Sequence, residues 1–343
     1  MARTTIKDIA KECGVSLSTV SLVLNNNPRI SAKTREAVLA SVEKHGYQPN
    51  ASARNLASRT SRTFCVAVPA LSHVFADVYF GEIVSGIYDR ASEAGYKVML
   101  DLANPKFIES KEYLNVLKSR RADGMLFISS SINDTYLADF EGGAFPFLLV
   151  NHFFPGRDLN YLAADYEDTA RQAANHLISL GHRRIGLISG TNTHTGLAFR
   201  EAFLRHCRER GLKDGDAVWM DSTRGKEWSQ EGGFDAAGEM LAQRPDTTAI
   251  MCGNDRLAIG VMHYLRSMQV RVPEDVSVAG VDDIPESTFT NPGLTTVRYD
   301  LYQMGRTACE RLLALFRGEI TACREVLPVQ LIARESTGPA RSA

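Results

Sequence analysis

At 343 residues the chain is long enough for two or three domains, and its 44% hydrophobic and 23% charged content is that of a soluble globular protein. No stretch approaches the roughly eighteen consecutive apolar residues of a membrane span, which excludes a spanning helix. The net charge of −1 conceals a segregation: residues 1–62 carry ten basic and four acidic side chains, a balance of +6, which leaves −7 on the remainder. A basic head on an acidic body fits a polyanion partner for the head alone, with binding that weakens as salt rises.

The first predicted elements lie in Thr5 to Asn25, TIKDIAKECGVSLSTVSLVLN. Ile6, Ile9, Ala10 and Cys13 recur at helical spacing, Gly14 permits a tight turn, Val15 plugs the core and Ser16 is an N-cap for a second helix. On that helix Val20, Val23 and Leu24 share one face, and Leu17, Ser18, Ser21, Leu22 and Asn25 share the other. This is the helix-turn-helix pattern that lays a recognition helix in the DNA major groove. A third helix is expected after Ser31, with Val38, Leu39 and Val42 as its apolar stripe and Gly46 as its stop. Residues 47–62 read as a linker in which Pro49, Ala51, Ala53 and Ala57 favour a helix; Leu56 is its one large aliphatic side chain.

From about Thr63 onwards apolar strands alternate with amphipathic helices. Strands are expected at 64–69, 96–101, 124–129 and 147–150, then at 184–189, 217–221, 248–253 and 276–281. Strand–helix alternation argues for doubly wound parallel sheets, and two such series argue for two lobes. Ligands of these sheets bind beyond the carboxyl ends of the strands. The six cysteines are scattered, with no C-x-x-C, so buried thiols of a reducing compartment are expected rather than disulfides or a metal site. MARTTIKDIA has no apolar signal segment, and the protein is expected to be cytoplasmic, with no membrane partner and no cofactor.

The head and linker, and further on LISLGHRRIGLISG (177–190), GNDRLAIG (253–260), VPEDVSVAGVDDI (272–284), PGLTTVRYD (292–300) and LIARES (331–336), resemble the lac repressor/galactose repressor (LacI/GalR) family of bacterial transcription regulators. The resemblance implies a helix-turn-helix head over 1–46, a hinge helix over 47–62 and a two-lobed, periplasmic-binding-protein-like core over 63–338. It places lobe 1 at about 63–163 and 293–324, and lobe 2 at about 164–292 and 325–338. It also implies a homodimer on a pseudo-palindromic double-stranded DNA operator, controlled by a small-molecule effector in the interlobe cleft.

For DNA the resemblance points to Leu17, Ser18, Ser21 and Leu22 as base readers. It points to Ala53 and Leu56 as minor-groove elements, with Leu56 as a kinking wedge. Thr5, Ser16, Thr19, Asn25, Ser31 and Asn50 are expected to position phosphates. One departure stands out. Relatives commonly carry arginine where this chain has Leu22; arginine reads guanine bidentately, whereas leucine offers only apolar contact, best matched by a thymine methyl.

For the effector, Arg200 matches the family's clamping arginine. Asn254 and Asp282 match positions that hydrogen-bond ligand hydroxyls, and Trp228 matches a position that stacks on a sugar ring. Tyr79, Phe80, Asp101 and Asn151 are candidates from the first lobe. Such a set suits a sugar first and a purine second, and His194 leaves room for either. An enzyme reading lacks support, since no G-x-x-x-x-G-K-[ST], G-x-G-x-x-G after the first strand, H-E-x-x-H or G-x-S-x-G is present. A secreted sugar-binding protein with this body would need a signal peptide and no DNA-binding head.

Overall fold

A computed structural model describes residues 4–24, 27–47, 60–71, 73–222 and 228–341. Asn25, Asn50, Ala53 and Leu56 lie outside the described residues. The chain divides into two compact units, Met1–Ser61 and Arg62–Ala343.

The head has three helices, α1 (Ile6–Glu12), α2 (Leu17–Leu24) and α3 (Ala32–Lys44). Each start is capped as its sequence dictates. The Asp8 carboxylate accepts from the Thr5 N–H and hydroxyl at 2.9 and 2.8 Å. Ser16 Oγ accepts from the Thr19 N–H, and Ser31 Oγ from the Thr34 N–H. Gly14 has φ +63°, a left-handed conformation suited to glycine, and turns α1 into α2. Ile9, Ala10, Val20, Val23 and Val38 form the small core, flanked by Ile6, Cys13, Val15, Leu24, Ile30, Val42 and Tyr47. Leu39 is a correction: it is 45% exposed, one helical step off the stripe of Val38 and Val42. Glu12 ties α1 to the end of α3 by accepting from Lys44 Nζ at 2.7 Å and Ser41 Oγ at 2.9 Å, and these bonds hold its carboxyl down to about 2.

The second unit begins with β1 (Thr63–Pro69), α4 (Val78–Glu93), β2 (Lys97–Ala103), α5 (Pro105–Glu109) and α6 (Glu112–Lys118). The first lobe continues through β3 (Gly124–Ile128), β4 (Phe147–Val150) and β5 (Tyr161–Ala164). The second lobe holds α7 (Tyr166–Ser179), β6 (Ile185–Ser189), α8 (His194–Glu209), β7 (Ala217–Asp221) and α9 (Gln230–Gln243). It goes on with β8 (Ala249–Cys252), α10 (Asp255–Ser267), β9 (Ser277–Asp282), α11 (Glu286–Phe289) and β10 (Thr295–Arg298). Last come α12 (Leu301–Arg317), β11 (Arg324–Leu327) and β12 (Gln330–Ile332).

The first sheet has the order β11-β5-β4-β3-β1-β2 and is parallel throughout. The second has the order β12-β10-β9-β8-β6-β7 and is parallel except at β12. Strands covered on both faces by helices are continuous apolar runs, as in the wholly buried β3, GMLFI.

The first crossing lies after β5, which ends at Ala164 in the first sheet, while the next strand, β6, belongs to the second. The later two are corrected. Asn291 and Pro292 precede β10, which pairs in parallel with β9, so the chain leaves the second lobe near Tyr299 rather than near 292. Likewise β11 pairs with β5 in the first sheet, so the last crossing falls between Leu327 and Gln330 rather than near 325. Pro292 and Gly293 punctuate a turn within the lobe, not a change of lobe. No helix among the described residues is long and apolar enough to cross a membrane.

Candidate functional site

Two candidate sites emerge. In the head, Leu17 and Leu22 are 44% and 39% exposed while Val20 and Val23 on the opposite face are buried. Ser18 shares the outward face and Ser21 is half-buried beside it. Ser16 Oγ is within 2.7 Å of Ser18 Oγ and 2.9 Å of Thr19 Oγ1, so the start of α2 presents a linked run of hydroxyls. Thr5, Ser16 and Ser31 are thus caps whose helix N-termini offer N–H groups suited to phosphate.

In the second unit a cavity of about 820 Å³ opens at the carboxyl ends of both sheets. The first lobe lines it with Tyr79 and Phe80 from α4, Ser129 to Ser131 after β3, and Asn151 and His152 after β4. From the second lobe come Asn192 and Thr193 after β6, Trp228 before α9, Asn254 and Arg256 after β8, and Asp282 at the end of β9.

Its floor is a hydrogen-bonded cluster centred on Asn151. Asn151 Nδ2 donates to the Tyr79 hydroxyl at 2.8 Å and the Tyr299 hydroxyl at 2.9 Å. Its Oδ1 accepts from the Ala164 N–H and the Tyr166 hydroxyl, both at 3.1 Å. The Tyr299 hydroxyl in turn donates to Asp282, so residues of both lobes and of one crossing meet here. Burial, with the Asp255 charge adding, pushes the Asp282 carboxyl well above the usual carboxylate range. Ser129, Asn151 and Asp282 all have left-handed backbone, with φ of +53°, +53° and +108°. Such conformations cost of order 1 kcal/mol or more each and cluster where side chains must be aimed.

Behind Asp282 lies Asp255, fully buried. Its carboxylate accepts from the Ile284 N–H at 3.0 Å and from the Ser287 and Thr296 hydroxyls, both at 2.6 Å. Burial raises its pKa to about 7. This saturated carboxylate pins the loop that carries Asp282, and it is structural rather than a metal ligand.

Two further contacts bridge the lobes. Asp77, the N-cap of α4, pairs with Arg256 of α10, and the Ile132 N–H donates to the Asn192 carbonyl at 2.9 Å. Trp228 is held as an aromatic wall: its indole N–H donates to Asn192 Oδ1 at 2.7 Å. A Cβ at Gly196 or Gly253 would come within 2.7 Å of the indole, so both glycines make its seat. Asn254 caps α10 through the Leu257 N–H and donates to the Trp228 carbonyl at 3.2 Å.

The cleft therefore brings together Tyr79, Phe80, Asn151, Trp228, Asn254 and Asp282. Three expected residues are not among its lining. Arg200 lies over the Trp219 ring, 4.6 Å from its centroid, and Phe199 takes the cleft-facing position. One residue is about 100° of helix rotation, enough to move the guanidinium off the wall. Asp101 lies two residues short of the end of β2, where Ala103 reaches the cleft, and its carboxylate accepts from the Leu102 N–H. His194 packs against Phe154 and His152, at ring-centroid distances of 5.0 and 6.1 Å. Tyr166, Tyr299, His152, Ser129 and the Asp77–Arg256 pair were missed. Their signal was position: Ser129 and His152 lie just past strand ends, and Tyr299 just past β10.

Residues 5–50 match bacterial regulatory proteins of the lacI family, and residues 174–337 match a periplasmic binding protein-like domain. Catabolite control protein A of Priestia megaterium is 30% identical over 337 residues, covering 97% of this chain and 99% of its own. The chain belongs to the lacI family. It is accordingly a DNA-binding transcriptional regulator with an effector-binding core, not an enzyme. Among lacI-family structures, the lac repressor dimer bound to operator and the anti-inducer ONPF aligns over 98% of this chain and 100% of its own, at 29% identity and a TM-score of 0.85. The CelR–cellobiose complex aligns over 97% and 100%, at 27% identity and a TM-score of 0.72.

Proposed function

We propose that this lacI-family regulator is a cytoplasmic homodimeric repressor whose grip on a two-fold operator is set by an uncharged polyhydroxy effector in the interlobe cleft. The observation that carries this reading is the chemistry of the cleft. Phenols, hydroxyls and amides surround the Trp228 wall, and the one cation lining it among the described residues, Arg256, is paired with Asp77. Such a lining suits a sugar; a phosphate or carboxylate would call for an unpaired guanidinium or ammonium. The relatives' ligands agree in class, since the lac repressor structure holds ONPF and the CelR structure holds cellobiose. A purine is the second reading, supported by the same aromatic wall.

In the head, Leu17, Ser18, Ser21 and Leu22 read base edges; Ser16, Thr19, Ser31 and Thr5, with Asn25 and Asn50, position phosphates; and Ala53 and Leu56 occupy the minor groove at the centre of the site. Two heads together reach the two half-sites of a pseudo-palindrome. The ligand acts by its difference in affinity for the two lobe arrangements, which biases the paired heads.

The test is thermal melting of the full-length protein with cellobiose, lactose, D-galactose, D-ribose, adenosine, hypoxanthine and glucose 6-phosphate. A neutral sugar should raise the melting temperature, and glucose 6-phosphate should not. Stabilisation by glucose 6-phosphate alone would contradict the uncharged-effector reading.

A further inference from the structure

We infer that His152 is a recognition residue of the cleft, its imidazole engaging one hydroxyl of the bound effector and so deciding which stereoisomers are accepted. This rests on the reading of the cleft as the effector site.

The argument begins with its neighbour. Asn151, one of the four first-lobe candidates from the sequence, has no capacity left: its two amide hydrogens go to Tyr79 and Tyr299, and its oxygen accepts from Ala164 and Tyr166. Its task is to hold the floor together. His152 is the converse. It is a fully buried residue of the cleft wall, and neither Nδ1 nor Nε2 has a hydrogen-bond partner among the described residues. Among the described residues, Ser222 Oγ is the other buried side-chain atom in that condition, and it borders the undescribed residues 223–227, whereas His152 lies within a described stretch.

A buried polar group left unpaired is destabilising, so an orphaned pair of ring nitrogens in a binding cleft calls for a partner that arrives with the ligand. The two rings packed beside the imidazole, Phe154 at 5.0 Å and His194 at 6.1 Å between centroids, make no hydrogen bond to it. Burial first, and the His194 charge second, push its pKa down to about 3, so the ring is neutral. A neutral imidazole carries one N–H donor and one acceptor, the same complement as a hydroxyl, and it has no charge with which to favour an anion.

The test uses full-length wild type, His152→Phe and His152→Gln, with calorimetric titration of cellobiose, lactose, D-galactose, D-ribose, adenosine and hypoxanthine. Phe keeps a planar ring and removes both nitrogens, and Gln restores a donor and an acceptor. The compound that wild type binds most tightly should bind His152→Phe about tenfold or more weakly, with partial recovery in His152→Gln. Ligand-free His152→Phe should melt no lower than wild type, because it relieves two unpaired atoms. The monodeoxy analogue lacking the engaged hydroxyl should bind wild type and His152→Phe equally. Binding of the parent compound by His152→Phe within twofold of wild type would overturn the assignment. So would a loss accompanied by equal discrimination among all the deoxy analogues. Failure of wild type to bind any of the six would instead overturn the cleft reading, and with it the role of His152. Should His152→Phe not fold, His152→Gln and the deoxy series carry the same comparison.

Discussion

The head and the cleft solve recognition in opposite ways. The head displays its candidate readers outward from one helix, Leu17 and Leu22 standing free over a core of five buried side chains. The cleft draws its groups from the ends of many strands and then ties them down: Asn151, Tyr79, Tyr166, Tyr299 and Asp282 bond to one another. In the head, then, the candidate readers are exposed side chains and stability rests in a few buried ones. In the cleft the lining residues are bonded to one another, so that a single change disturbs a network.

The largest effect is expected where the head has least to spare. Ile9→Ala removes one of five core side chains, a change that typically costs about 2–5 kcal/mol in a packed interior. Operator binding in a gel shift should be lost, while thermal melting of the core is unchanged; retained operator binding would mean that the head has reserves beyond this core. Trp228→Ala, which strips the cleft of its wall, should weaken the effector about tenfold by calorimetry and leave DNA binding without effector intact. Leu22→Arg should move the preferred base at its contact to guanine, with discrimination of roughly 1–3 kcal/mol, and leave binding to random DNA little changed. Selection from randomised DNA checks this, and an invariant guanine with the wild-type protein would contradict it.

Smaller still is a pH effect confined to the core. Asp255 has a folded pKa of about 7 against an ordinary 3.8. The folded state therefore keeps a proton that the unfolded chain releases between about pH 4 and 7. Its contribution to stability is present below about pH 4, falls as pH rises towards 7 and is level above. Asp255→Asn should flatten the dependence of core melting temperature on pH across that interval. The least effect is expected from Arg200→Ala, whose guanidinium lies on Trp219 rather than in the cleft: effector affinity should stay within about twofold. A complete loss of effector response would restore Arg200 as the clamp.

The head was legible because periodicity and capping act over a few residues: Ser16 and Ser31 cap the helices they were expected to cap. Leu39 escaped because three apolar residues at 38, 39 and 42 exceed the width of the buried stripe. Eight strands were legible as apolar runs, whereas β5, β10, β11 and β12, only three or four residues long, were not. Asn254 and Asp282, named by the family resemblance, and Asn151 do lie at or past the carboxyl ends of strands. Periodicity does not say which of two adjacent residues faces a wall, and Arg200 and Phe199 differ by that one step. Nor does it reveal that Tyr166 and Tyr299, 133 positions apart, converge on the same amide, because that depends on both crossings. His152 was hidden for a different reason: its distinction is a lack of partners, which only the packed structure makes visible.

The most direct test of the central claim, that a ligand in the cleft governs the affinity of the head for DNA, is the binding of full-length protein to randomised DNA under selection. It would be run at moderate salt, with and without whichever neutral compound raises the melting temperature. A two-fold symmetric site, without guanine at the Leu22 contact, should be enriched in the ligand-free arm and its recovery should fall when the compound is present. Equal enrichment of the same site in both arms would contradict the claim, and enrichment of no site in either arm would contradict the DNA reading of the head.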